Sequence, residues 1–471
     1  CAQGDGRHVP CLLCGAYLRG GDARAQGAAR ADLRLRGLRV LRPGRDDLAA
    51  GAGPPRGRER PGGAAPLAHI GDQLRVLELW HGPTCAFKDM ALQIMPRLLS
   101  RALDKTGEKR TAFILVATSG DTGKAALEGY RDVDRVKIMV YYPVDGVSRI
   151  QKLQMAAQEG GNVNVCSVNG NFDDAQNGVK KIFSDASAAA DLDKNGYFLS
   201  SANSINWGRL APQIVYYVSA YCDMVNSGDI RMGEKINVSV PTGNFGNIFA
   251  GYLARMAGLP IHRMICASNC NNILTDFFAT GTYDRNRHFY TTMSPSMDIL
   301  ISSNLERLLY LIAGSEETAS YMKQLAETGR YTVSPAVKAR LDEVFCGMYC
   351  NEEMTADTIR HTYETYRYLI DTHTAVGLDC AQRYAETDRE HKMLAVSTAS
   401  PYKFASSVYR AISGKRSDDE FENISLLSAC TGTVVPTPLA SLAGKEIRFD
   451  PNQAIEADQM KAEVYRVLGI N

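Results

Sequence analysis

From residue 67 onward, short apolar and β-branched runs alternate with stretches in which apolar residues recur every three or four positions, and this alternation constrains the fold most. Strands that read as continuous apolar runs are buried on both faces, and the helices between them must cover those faces. The pattern therefore calls for an α/β architecture with a mainly parallel sheet. Phe113 to Ala117, Val136 to Tyr142, Val163 to Val168, Ile236 to Val240, Met264 to Ala267 and Met393 to Ser397 read as the strands. Helices are expected through Ala125, Leu127 and Tyr130, over Asp173 to Phe183, and through Phe249, Leu253 and Met256 with Gly258 past the end. Residues 300–391 carry mostly helical spacing, as in NLERLLYLIAG and TADTIRHTYETYRYLI, and read as a helical insertion. The expected division is one α/β domain over 67–205 and a second over 206–471 that contains the insertion.

Residues 1–66 break the pattern. They hold 12 Arg, no Lys, 5 Asp and 1 Glu, a balance of +6, and 43 of the 66 are Gly, Ala, Arg or Pro. A stretch such as GAGPPRGRERPGGAAP interrupts both regular periods and has no aromatic mass, so it cannot offset its own ordering entropy. The segment reads either as disordered or as a misframed GC-rich exon. The remaining residues carry 41 Lys and Arg against 46 Asp and Glu, and the whole chain stands at +1. That charge argues against a nucleic-acid or polybasic membrane partner. The longest apolar runs, such as AFILVA at 112–117, fall far short of the roughly 18 residues a membrane helix needs. Twelve cysteines are scattered along the chain, which fits a soluble protein in a reducing, cytoplasmic setting. The Cys11–Cys14 pair lacks a second ligand pair, and Cys346 with Cys350, at helical spacing, reads as packing; no metal site is expected.

Two strand-to-helix turns concentrate Gly with small hydroxyl and amide residues: Thr118-Ser119-Gly120-Asp121-Thr122-Gly123 and Thr242-Gly243-Asn244-Phe245-Gly246-Asn247. Glycine lets the backbone approach an anion, and the free N–H groups of a helix start stabilise it, although such turns also serve simple chain reversal. Neither turn matches a GxGxxG fingerprint or a P-loop. A third feature is His81-Gly82-Pro83-Thr84-Cys85-Ala86-Phe87-Lys88-Asp89, where a single lysine opens a helix through Leu92, Met95 and Leu99. Most lysines are solvated surface residues. One held at a helix start beside anion-binding turns has a depressed pKa in prospect, which suits a Schiff-base lysine.

HGPTCAFKDMALQ, VATSGDTGKAA, NSINWGRLAPQ, VPTGNFGNIFAGYLA, TMSPSMDILISSNLERLL, DTHTAVG and STASPYKF, in this order, resemble the threonine synthase family, in its longer microbial and fungal form, over about residues 75–465. The resemblance implies a fold type II pyridoxal-phosphate enzyme, with two open α/β domains clasping the cofactor. It implies conversion of O-phosphohomoserine and water to threonine and phosphate, by a monomer or homodimer. Lys88 would bond pyridoxal 5'-phosphate and then act as acid and base. Gly243, Asn244, Phe245, Gly246 and Asn247 would cradle the cofactor phosphate, Thr398 would meet the pyridine nitrogen, and Asp121 would lie near the phenolic oxygen. Ser119, Gly120, Thr122 and Gly123 would hold the substrate carboxylate, and Asn203, Ser204 and Arg209 its phosphate.

The sequence departs from the family's pattern in places. Cys85 stands where an aliphatic residue is usual and Ser400 where a histidine is common, and residues 1–66 show neither the STRG-like nor the DGGL-like motif. Two readings compete with the synthase: a phospholyase that releases 2-oxobutyrate from the same substrate, and a non-catalytic binding protein derived from a synthase.

Overall fold

A computed structural model describes residues 64–144 and 147–470. The Cys11–Cys14 pair and the atypical segment up to residue 63 lie outside the described residues. Residues from Ala65 onward form one compact unit.

Alternate residues of the central strands enter different cores, as strands covered by helices on both faces require. In β3 (Thr111–Ala117), Ala112, Ile114 and Val116 join one cluster while Phe113, Leu115 and Ala117 join another. Burying each Ile, Leu, Val or Phe contributes about 1.5–3 kcal/mol, and that gain holds the register, since a one-residue slip would exchange the two faces.

Two parallel sheets result. The six-stranded sheet runs in the order β1 (Leu67–Ile70), β2 (Leu74–Glu78), β12 (Lys392–Ser397), β7 (Ile236–Pro241), β8 (Ile261–Ser268) and β11 (Phe345–Tyr349). All its neighbours are parallel except the β1–β2 hairpin. That hairpin turns through Gly71 at φ 62°, a left-handed conformation glycine adopts without penalty. The five-stranded sheet runs β13 (Ala454–Ile455), β5 (Val163–Val168), β4 (Val136–Pro143), β3 and β6 (Tyr197–Ser200), all parallel. A small antiparallel pair, β9 (Thr282–Asp284) with β10 (Arg330–Thr332), stands apart.

All six strands expected from sequence are present. The division at residue 205 is not what the sheets follow. β1 and β2 lie in the sheet built mainly from the second half, and β13 returns to the sheet of the first. An apolar run announces a strand but carries no record of its partner, and the partner of β2, β12, lies more than 300 residues away along the chain. The block at 300–391 is not wholly helical either, since it contains β10 and β11. Cys346 sits within β11 and Cys350 just beyond it, so their spacing is not helical, and both are free thiols. Met256 is 56% exposed, and the buried face of its helix is carried instead by Phe249, Tyr252 and Ala254.

The helix expected to run on from Lys88 is two pieces, a turn over Asp89–Leu92 and a helix over Met95–Thr106. Pro96 accounts for the break, because it lacks an N–H and favours a first turn. The short turn packs against the helix Asp121–Tyr130 at Gly129, where a Cβ would stand 2.0 Å from the Leu92 carbonyl oxygen. On an exposed helix Gly→Ala would stabilise by about 1 kcal/mol. Here the obstacle is backbone, and Gly129→Ala is expected to destabilise by about 3 kcal/mol, read from the midpoint of urea unfolding.

Candidate active site

Loops from the C-terminal ends of strands in both sheets line one cavity, open to solvent, which is the position at which α/β sheets bind ligands. It collects Lys88, Asp121, Asn203, Ser204, Arg209, the loop Gly243 to Asn247, and Thr398.

Lys88 is placed by backbone pairing. Ala86 bridges Ala399, the Phe87 N–H donates to the Thr398 carbonyl at 2.8 Å, and the Ser400 N–H donates to the Cys85 carbonyl at 3.0 Å. Cys85 takes a left-handed φ of 57° to turn the chain into this bridge. Asp89 closes the turn by accepting from the Thr84 N–H at 2.8 Å and the Thr84 hydroxyl at 2.7 Å. Ser400 caps the short helical turn Pro401–Phe404, accepting from the Tyr402 N–H. Burial pushes the Cys85 thiol up to about 12, so it stays protonated and unreactive beside the cavity.

Burial also brings Lys88 down from an ordinary 10.5 to about 8; Asp121 opposes the shift while Arg209 and Lys403 reinforce it. The sequence anticipated a depressed lysine, but the cause is desolvation and neighbouring cations, with no long helix behind Lys88. Asp121 keeps its carboxylate well below the usual range despite burial, because Lys403 and Lys88 flank it and Gln151 donates to it.

In the first turn Thr118 is the organiser. Its Oγ1 accepts the Gly120 N–H at 3.0 Å and the Gly123 N–H at 2.8 Å. Those two amides are spent, and a Cβ on Gly123 would strike Thr118, Val140 and Met155. Gly120 and Gly123 therefore shape the turn and lie outside the cavity lining, while Ser119, Asp121 and Thr122 line it. Gly120 needs its φ of 131° and has the Gln151 amide where a side chain would stand.

The second turn is built more openly. Among the described residues, no acceptor meets the N–H groups of Gly243 to Asn247, which stand at the start of the helix Gly246–Met256. Phe245 holds φ 63° and buries its ring against Phe278 and Phe345, so it offers only backbone to the cavity. Asn247 Oδ1 accepts from Tyr216 and Tyr217, at 2.5 and 2.6 Å, and its Nδ2 has no partner. Ser204 lies beside this loop: it accepts from Asn304 Nδ2 at 2.9 Å, and the same Nδ2 donates to the Asn244 carbonyl at 2.8 Å.

Arg209 is buried without a carboxylate. Nη1 donates to the Ala202 carbonyl at 3.0 Å, Nη2 reaches Thr122 Oγ1 at 3.4 Å, and Nε has no partner. Desolvation lowers it to about 10. Asn203 is anchored to the Ala117 carbonyl at 3.0 Å, and the Thr398 N–H reaches Thr374 Oγ1 at 3.3 Å.

Thr118, Gln213, Ser296 and His373 are among the further cavity residues that were given no role from sequence. His373 accepts from the Ser296 N–H through Nε2 at 3.1 Å and faces Asp371 Oδ1 through Nδ1 at 3.0 Å, which fixes its tautomer. Ser296 Oγ is buried and unpartnered. Away from the cavity, His262, Asp388 and His391 cluster at the N-terminal ends of β7, β8 and β12, where Asn237 Nδ2 also donates to Asp388, at 2.8 Å.

Residues 64–399 match the model of the pyridoxal-phosphate dependent enzyme family, and residues 374–464 that of the threonine synthase C-terminal region. Threonine synthase of Pseudomonas aeruginosa is 40% identical over 352 residues, covering 74% of this chain and 71% of that protein. The chain belongs to the threonine synthase branch of this family. Human threonine synthase-like 1 is 41% identical over 357 residues, covering 74% of this chain, which spans about half, 47%, of that longer protein. The crystal structure of pyridoxal-phosphate-bound threonine synthase from Brucella melitensis superposes with a TM-score of 0.74 at 35% identity, over 87% of this chain and 81% of that one.

The family's cofactor is pyridoxal 5'-phosphate, and the cavity fits it. A buried amine of lowered pKa meets the aldehyde's need, the free amides with Asn247 Nδ2 match a phosphate, and a hydroxyl residue, Thr398, lines the same cavity. The buried ammonium costs stability in the protein without cofactor. Its folded pKa is below its unfolded one, so between about 8 and 10.5 the unfolded chain binds the extra proton and stability rises with pH. Lys88→Met is expected to raise the stability of the cofactor-free protein at pH 7 by on the order of 2–3 kcal/mol, a gain that fades through that window. Denaturant unfolding at a series of pH values checks this.

Proposed function

We propose that this chain converts O-phospho-L-homoserine and water to L-threonine and phosphate. The observation that carries the reading is Arg209: a buried cation with no carboxylate partner, opening on a cavity that already holds a separate anion-binding loop. A cofactor phosphate accounts for one such site. A second suits a substrate that brings its own phosphate, and membership of the threonine synthase branch supports that substrate.

Bound pyridoxal phosphate supplies an electron sink that makes protons at Cα and Cβ of an amino acid removable. The chain's own residues do the rest. Ser119 and Thr122 orient the substrate carboxylate through the turn that Thr118 braces. Arg209 and Asn203 hold the phosphate on Cγ, and the guanidinium neutralises charge as the Cγ–O bond breaks. Lys88 would take the proton from Cα and then one from Cβ, the second loss expelling phosphate from Cγ, and a value near 8 leaves it able to accept and return protons at neutral pH. Those two protons would return to Cγ and Cα, and water would add its hydroxyl at Cβ and give its remaining proton to the released phosphate. The nine cysteines among the described residues are all free, which supports a reducing, cytoplasmic setting.

Incubation with O-phosphohomoserine should release phosphate and threonine in equal amounts, and release of 2-oxobutyrate with phosphate would overturn the synthase reading. Arg209→Gln should lower kcat/KM by about 10²–10³, the usual scale for losing one charged donor at a developing negative charge, while the visible band of the bound cofactor stays.

A further inference from the structure

Asp121 has a partner that the reaction above does not use. Lys403, on the turn that follows β12, has a fully buried side chain, and its Nζ stands 2.6 Å from Asp121 Oδ1. The same ammonium donates to the Thr84 carbonyl at 3.0 Å, which fastens it to the turn that carries Lys88. Gln151 Nε2 donates to Oδ1 at 2.8 Å. The other oxygen, Oδ2, is 3.7 Å from Lys88 Nζ, a long ion pair that is beyond hydrogen-bonding distance. One buried carboxylate thus stands between two lysines, held tightly by one and loosely by the other.

The asymmetry has a chemical consequence. In a buried site an unshared carboxylate and ammonium close into a hydrogen-bonded ion pair, because neither has water to turn to. A lysine locked as an ammonium has no lone pair with which to attack an aldehyde or take a proton. The charged groups that act on Lys88 are Asp121, Lys403 and Arg209. Asp89, its neighbour in sequence, is occupied by Thr84, and the His373 ring is held by Asp371 and Ser296. Of these only Asp121 can draw Lys88 into an ion pair, and Lys403 is what competes for it.

We propose that Lys403 is a positioning residue for the lysine chemistry: by holding Asp121 through one oxygen it keeps that carboxylate from closing on Lys88 and leaves the Lys88 amine free. The proposal rests on the reading of Lys88 as the cofactor lysine, and needs neither the substrate nor the product assigned above.

The test follows cofactor attachment and not turnover. Cofactor-free wild type, Lys403→Met, Lys403→Arg and the double variant Lys403→Met with Asp121→Asn are mixed with pyridoxal phosphate over a series from neutrality to about pH 10. The visible band and the fraction of Lys88 trapped by borohydride in a peptide digest are recorded at each pH. Lys403→Met should move the midpoint of attachment upward by about one pH unit. Lys403→Arg should stay near the wild type because it keeps the cation, and the double variant should fall at or below it because it removes the carboxylate that raises Lys88; a rise in the double variant overturns the proposal. A purely structural role for Lys403 would lower the thermal midpoint without moving the attachment midpoint, and a folded Lys403→Met with the wild-type midpoint overturns the proposal. If Lys403→Met does not fold, Lys403→Gln takes its place, keeping a donor for Thr84 but no charge. It must show the same rise, and a wild-type midpoint in that variant overturns the proposal. Wild type that never attaches the cofactor at Lys88 overturns the reading of Lys88 and the proposal with it, an outcome distinct from an unshifted variant.

Discussion

The backbone bridge between Ala86 and Ala399 is the constraint on which the site depends. It ties the turn after β2 to the end of β12, two segments that are neighbours in the six-stranded sheet and remote in sequence. With Cys85, Phe87, Thr398 and Ser400 hydrogen-bonded across the same junction, Lys88 emerges at a fixed point above the sheet. Thr398 is held in place by the bond that also holds the lysine's turn. A flexible loop could carry the same side chains, but it would have to be ordered by the ligand on each encounter.

Around that fixed point the protein accumulates groups that a stable core would avoid. Lys88 and Arg209 are buried cations whose ordinary pKa values are lowered by desolvation, and Arg209 Nε, Asn247 Nδ2 and Ser296 Oγ lack partners. Buried polar groups without partners are expensive, and these three all line the cavity, where a ligand would supply the missing contacts. The hydrophobic clusters behind both sheets supply the stability that tolerates them. The two turns divide the work differently. Thr118 consumes two amides of the first to fix its shape, whereas the second leaves its amides open and is held from behind by the Phe245 ring and by Asn304.

Much of this was legible in the sequence, and the limits have physical causes. Phe113 to Ala117 announced itself because a strand buried on both faces must be apolar throughout. β1, β6 and β13 are short edge strands, and β11 reads FCGMY with a glycine at its centre, so neither length nor composition marked them. Lys88, Asp121, Arg209 and Thr398 could be named from motifs because their residue types suit one chemistry. Gly120 and Gly123 were assigned to the ligand on the same grounds, yet they serve the turn; a glycine required for chain geometry and one required for close approach look alike in sequence. Ser296, His373 and Lys403 were in plain view within quoted motifs. What gives them meaning is their partners, Asp371 for His373 and Asp121 for Lys403, and those pairings exist only after folding.

The exchange of strands between the two halves also bears on how the chain reaches this state. β13 and the helix Met460–Leu468 pack onto the five-stranded sheet, with Met460 and Val464 filling the core beneath β3 and β4. They are synthesised roughly 250 residues after β6. The first sheet therefore leaves the ribosome with one edge and part of one face uncovered, and it stays so until residues 454–468 arrive. Long-range closure of this kind is slow, and an apolar face held open in the meantime is a natural substrate for chaperones.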